Sequence, residues 1–209
     1  MKAWHFTGDR LSDGQPVPCV GEKLIFAEEP ILRGQGYSRR IIDALQYASG
    51  NAIHRVELGG SLATERTVLF TVDGTDLLRK FARQCALDVI HLWAAPDVVK
   101  EYLKTGSEQL RSDANAAAND TWHATATAWA TWAAMDEGAT APAIPAAAAA
   151  AWAAIDARYA RHAAVVAART AADAAAVDAP GDVTAAWNAA RAKQNRRLTS
   201  MVMAAQRSK

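Results

Sequence analysis

The chain has 209 residues, a formal net charge of +1 and 22% charged residues. So even a balance gives no general field to draw the molecule onto nucleic acid or a membrane surface, and the length suits one large domain or a small domain with an appendage. The two cysteines, Cys19 and Cys85, lie far apart with no Cys-x-x-Cys spacing. They read as idle or buried thiols of a reducing cytoplasm, with one long-range disulfide as the alternative.

Residues 1–7 (Met-Lys-Ala-Trp-His-Phe-Thr) read as an opening strand with aromatic residues on both faces, and they lack the apolar core of a signal peptide. A turn-rich stretch follows to Pro18, then the short apolar runs Leu24-Ile25-Phe26 and Ile31-Leu32, then a Gly34-Gln35-Gly36 turn. Ser38 can cap a helix on which Ile41, Ala44, Leu45 and Ala48 recur at helical spacing beside Tyr47, stopped by Gly50. Ile53, Val56 and Leu58 then form a strand ended by Gly59-Gly60, and Thr67–Val72 forms another, ended by Asp73-Gly74.

Thr75 can cap a helix reaching about Trp93, whose Leu77, Leu78, Phe81, Cys85, Val89 and Leu92 make one buried stripe. Pro96 suits the first turn of a shorter helix with Val98, Val99 and Leu103 on its apolar side, and Gly106 suits its stop. Residues 1–106 therefore read as an α+β head, a small mixed β-sheet with covering helices.

Composition changes near residue 107, beyond which alanine dominates, so 107–209 reads as a separate alanine-rich antiparallel helical region. Ser107 can cap a first helix to about Glu137. Ile144-Pro145 opens a second, ending before Asp178, and Asp182 can cap a third. Trp122, Trp129 and Trp132 mark the first. Trp152, Ile155, Tyr159, His162 and Val166 step along the second, and Val183, Trp187, Leu198, Met201 and Ala205 along the third. Alanine favours helix but offers little area to bury, so the sparse aromatics must supply contact energy. Trp122, Trp129, Trp132, Trp152 and Trp187 are accordingly the expected interface, with a protein partner or a second copy in a homo-oligomer. The uncharged run 138–155 holds Pro142 and Pro145 and is mostly alanine, which does not suit a membrane span, and a cytoplasmic location is expected. Six basic residues, Arg191, Lys193, Arg196, Arg197, Arg207 and Lys209, follow Asp182 with no acid among them. They serve solubility and the helix dipole, or else a nucleic-acid backbone.

His5, His54, His91, His123 and His162 show no His-Glu-x-x-His and no helical i, i+4 pair, and no Gly-x-Ser-x-Gly elbow or phosphate-binding glycine loop occurs. No metal or cofactor is expected on that ground.

The opening Trp4-His5-Phe6-Thr7, the Gly34-x-Gly36-Tyr37-Ser38 turn and a helix ending Tyr47-Ala48 resemble the first half of ADP-ribosyltransferase-like folds. The resemblance implies NAD as substrate, with His5 holding the ribose, Tyr37 stacking on nicotinamide, and Ser38 and Tyr47 beside the cofactor. Glu57, or else Glu65, would steady the oxocarbenium ion. Over nearly the whole chain, the Lys2-Ala3-Trp4-His5-Phe6 opening, the Asp43-Ala44-Leu45-Gln46-Tyr47-Ala48 block, the Phe81–Trp93 helix and the alanine/tryptophan-rich tail resemble a family without assigned function. That family is common in phages and actinobacterial genomes. It implies a phage-type accessory protein in a bacterial host, acting by protein–protein contact. Transfer from NAD and nucleic-acid binding are the alternatives.

Overall fold

Strand-forming stretches and glycine punctuation set the first half of the fold. The computed structural model describes residues 1–11, 14–25, 37–59, 65–133, 143–155, 160–179 and 181–208, with backbone alone at 37, 121–133 and 143–146. The chain forms two compact units, one of residues 1–77 with 195–209, the other of residues 78–194. The compositional break near residue 107 falls inside the second.

In the first unit, β1 (Lys2–Thr7), β2 (Lys23–Ile25), β3 (Tyr37–Ser38), β4 (Ala52–Gly59) and β5 (Glu65–Asp73) make one sheet in the order β2-β5-β4-β1-β3. The class is α+β as expected. Each pairing is antiparallel, where a mixed sheet is expected. The connection between β4 and β5 is too short for the crossover that a parallel neighbour needs. Successive residues of a strand face opposite sides of the sheet, so β1 divides into Ala3, His5 and Thr7 on one face and Trp4 and Phe6 on the other, all buried. The first face holds the apolar cluster of Ala3, Val56, Leu58 and Val68. On the other face the row Trp4, Arg55, Phe70 is in register. There the Arg55 guanidinium lies 4.5 Å from the Trp4 ring centroid, and Trp4 meets Phe70 edge-on at 6.1 Å.

Between β3 and β4, α1 (Ile41–Leu45) packs against β1 and buries Ile41, Ile42, Ala44 and Leu45. Ser38 does not cap it. It lies in β3 opposite Trp4, because the edge of β1 takes it as a strand partner, and the cap position falls to Arg40, whose side chain makes no cap bond. Ile42 N–H instead donates to Asn195 Oδ1 at 3.3 Å.

The second unit runs from Leu78 through α2 (Thr75–Val89), a 3-10 turn (Ile90–Leu92), α3 (Asp97–Thr105), α4 (Glu108–Ala133), α5 (Ala143–Ile155) and α6 (Ala160–Asp178) to the first half of α7 (Val183–Arg207). Asp73, not Thr75, caps α2: its carboxylate accepts the Thr75 N–H at 2.9 Å. The expected stripe on α2 is buried at Leu78, Phe81, Cys85 and Val89, joined by Ala82 and Ala86. Gly106 ends α3 in the left-handed region at φ 69°, its N–H reaching Tyr102 O. Ser107 precedes α4, but its hydroxyl donates to Gln109 Oε1. Asp182 caps α7 as expected, its carboxylate accepting the Ala185 N–H at 3.0 Å.

The single second helix expected from residue 144 is two, α5 and α6, with 156–159 and so Tyr159 outside the described residues. The expected aromatic seam does not form their contact. Ile155 is buried, yet Trp152 and His162 are exposed and Val166 is half-buried. The buried residues of α6 are Ala160, Ala163, Ala164, Ala167, Ala168, Ala171, Ala172, Ala174 and Ala176. Small side chains let backbones approach closely, and many short contacts then outweigh a few bulky ones. On α7 the expected seam is buried at Leu198 and joined by Val202, with Trp187 and Met201 half-buried and Val183 exposed.

Candidate functional site

The densest set of polar side chains away from solvent lies on the Ala3–His5–Thr7 face of the sheet. Antiparallel register sets His5 of β1 directly opposite His54 of β4, and His54 opposite Thr71 of β5. The two imidazoles stand with centroids 6.1 Å apart. Plain alternation from Arg66 and Val68 would send Thr71 to the other face. A register shift between Arg55 and Val56 leaves an extra residue at Leu69, a β-bulge that returns Thr71 to the face of Arg66. Both His54 nitrogens are thereby engaged: Nε2 lies 2.8 Å from Thr7 Oγ1 and Nδ1 lies 2.9 Å from Thr71 Oγ1. Hydroxyls can donate or accept, so they suit either tautomer.

Arg66 is buried to 1% exposure and lines, with His5, Thr7, His54, Leu24, Val56 and Val68, a cavity of about 10 Å³. Leu11, Val17 and Pro18, from the segment between β1 and β2, complete its wall. Such a space holds about one water molecule. Burial first, and the Arg66 charge second, push the His54 pKa down to about 4. Near neutrality the ring is therefore uncharged and a weak base. As it stands the cluster can hold water and polarise it, and it has no room for a dinucleotide.

His5 belongs to this cluster and is buried. Tyr37 stands opposite His5 in the β1–β3 register, with its side chain outside the described residues. Glu57 is exposed and alternates to the face opposite His54, Val56 and Leu58, so it does not join His5. Glu65 pairs with Lys23 at 2.7 Å at the sheet edge. Ser38 is half-buried beside Trp4, and Tyr47 is 67% exposed after α1. The expected NAD residues thus divide, with His5 and Tyr37 adjacent and Glu57 apart. No motif assigns a role to His54, Thr7, Thr71 or Arg66. Alternation of His54 with Val56 and Leu58 is the signal that places it on a core face. Among the described residues no group of three or more His, Cys, Asp or Glu side chains could hold a metal ion.

In the second unit, Trp122, Trp129 and Trp132 lie on α4 where side chains are not described. Trp187 donates from Nε1 to Asp173 Oδ1 at 3.1 Å and carries the Arg191 guanidinium 5.6 Å from its ring centroid. Arg191 is itself buried, and Lys193 pairs with Asp88 at 3.0 Å. Two of these six basic residues thus have partners within the chain, Arg191 buried against Trp187 and Lys193 at the surface with Asp88. Trp152 differs. On α5, Ala147, Ala148, Ala150, Ala151, Ala153, Ala154 and Ile155 are buried, and Trp152 is 36% exposed. Cys19 is exposed and Cys85 buried, both free thiols. Among the described residues no helix is long and apolar enough to cross a membrane.

No protein-family model, curated protein or solved structure matches the chain.

Proposed function

We propose that the protein acts by contact with another protein surface, a second copy of this chain in the first instance, through its alanine-rich helices. This is the accessory role that the resemblance to the phage-associated family implies. The observation that carries the reading is Trp152. Helix α5 packs on α4 and α6 and touches α3 and the 3-10 turn, so nearly all its circumference is covered, and the one large aromatic on it lies in the open sector. A tryptophan left part-exposed on a covered alanine rod loses apolar burial that a partner surface would restore. Sedimentation velocity over a concentration series tests it. The native chain is expected to shift from monomer to dimer as concentration rises. Trp152→Glu is expected to stay monomeric with an unchanged melting temperature. A native chain that remains monomeric throughout, or a Trp152→Glu chain that dimerises equally, overturns the reading.

A second reading, NAD-linked transfer, rests on the placement of His5 opposite Tyr37 across β1 and β3, and it requires the small cavity beside His5 to widen on binding. A saturable rise in melting temperature with NAD or ADP-ribose, lost in His5→Ala, supports it, because only a ligand that prefers the native state stabilises it. No rise at millimolar ligand removes it.

A further inference from the structure

We propose that Arg55, set over Trp4 at the rim of the sheet face opposite His54, is a docking point for one carboxylate carried on an apolar body.

Burial falls along this face. Phe6, Ile53 and Val72 are buried in one row, Arg55 and Phe70 in the next are half-buried, and Lys2 and Glu57 beyond them are exposed. Arg55 therefore stands where a molecule from solvent reaches it. Its guanidinium lies 4.5 Å from the Trp4 ring centroid, a stack that holds the side chain without using its N–H groups. Nη1 is buried and has no hydrogen-bond partner among the described residues. A buried charged donor left unbonded is costly, so it points to an acceptor from outside. Burial lowers the Arg55 pKa, and no carboxylate of the described residues offsets that. With Nη1 unbonded, turning the fork outward to an incoming acceptor breaks no hydrogen bond at that atom.

The surrounding charges select the acceptor. Glu57, two residues along β4, faces the same side, and Lys2 of β1 stands opposite Glu57 in register. Arg55 and Lys2 set against Glu57 leave a single net positive charge. That suits a carboxylate, whereas a phosphate dianion would meet Glu57 with too little compensation. The planar fork of an arginine matches the two oxygens of a carboxylate. Phe70, opposite Arg55 on β5, offers ring surface to the group that carries the acid. The ligand is thus a free acid with an apolar body, or an acidic side chain among apolar ones on a partner protein.

An NMR titration of the full isotope-labelled chain tests this, read at the Arg55 Nε–H resonance and assigned by its loss in Arg55→Lys. Hydrocinnamate is expected to shift that resonance to saturation at millimolar concentration, and acetate to act along the same path more weakly. Sulfate at matched ionic strength is expected not to saturate it. A blocked Leu-Glu-Leu tripeptide separates the sources. Tighter binding than hydrocinnamate assigns the site to a partner's acidic side chain, and equal or weaker binding to a free acid. Affinity for hydrocinnamate is expected to rise about two- to fivefold in Glu57→Gln and to fall by a similar factor in Lys2→Gln, the range for exposed charge pairs. No saturable shift with hydrocinnamate or the tripeptide, equal saturation by sulfate, or affinities unmoved in both variants overturns the proposal. Should Arg55→Lys fail to fold, backbone connectivity assigns the resonance, and the two exposed positions carry the test.

Discussion

Asn195 Oδ1 accepts the Ile42 N–H at 3.3 Å across 153 residues of sequence. Helix α1 starts at Ile41 behind Arg40, which contributes no cap bond, so the acceptor that a local Ser or Asp would supply to an orphan first-turn N–H comes from α7. Losing it leaves a part-buried N–H without that acceptor. Asn195→Ala is expected to lower stability by about 1 kcal/mol in urea melts, and Asn195→Asp, which keeps the acceptor, to restore most of it. Equal losses in both variants would show that the amide is there for packing and not as a cap.

Gly50 and Gly14 separate two reasons for glycine. A Cβ on Gly50 would overlap the Thr7 carbonyl oxygen and the Gly8 Cα, so backbone would have to move. Gly14 stands at φ 82° with nothing within 4 Å of such a Cβ, so an alanine there meets only the left-handed conformation. Gly14→Ala is expected to cost about 1 kcal/mol. Gly50→Ala is expected to cost about 3 kcal/mol or more, within the range of severe packing changes. Chemical denaturation of the two variants ranks them, and a Gly50→Ala chain as stable as Gly14→Ala would contradict the close approach.

At the end of α3 the two effects combine. Gly106 is left-handed at φ 69°, and a Cβ there would overlap the Arg83 guanidinium from α2. The same guanidinium bonds Tyr102, whose pKa is raised by burial first and pulled back by Arg83. Gly106→Ala is expected to cost about 1 kcal/mol for the backbone plus a contribution from displacing Arg83. In an Arg83→Ala background only the first should remain. A double-mutant cycle by urea melts measures the difference, and strict additivity would show that Arg83 swings aside freely.

Much of the fold was legible because turn residues punctuate it. Gly59, Asp73-Gly74, Gly106 and Asp182 each stand at an element boundary, and the Leu78–Phe81–Cys85–Val89 stripe is buried as its spacing implies. Ser38 was misleading because a two-residue strand is decided by its partner β1 and not by its own sequence. The faces of α5 and α6 were hidden for a different reason. Alanine looks the same on every side of a helix, so spacing drew attention to Trp152 and His162, which turn out to be exposed. The His54 cluster depends on the bulge at Leu69, and no local pattern announces a bulge that brings Thr71 back beside Arg66. The basic residues of α7 were read along one helix, whereas Lys193 finds its acid, Asp88, in space.

Because residues 195–209 belong to the same compact unit as the strands, order of synthesis bears on folding. A nascent chain makes the whole sheet early, yet the residue that caps α1 is added only after all of the second unit. Until then α1 waits without Asn195. Contacts so distant in sequence close late and slowly, and the waiting intermediate exposes apolar surface. The first part of this protein to be made is among the last to be finished.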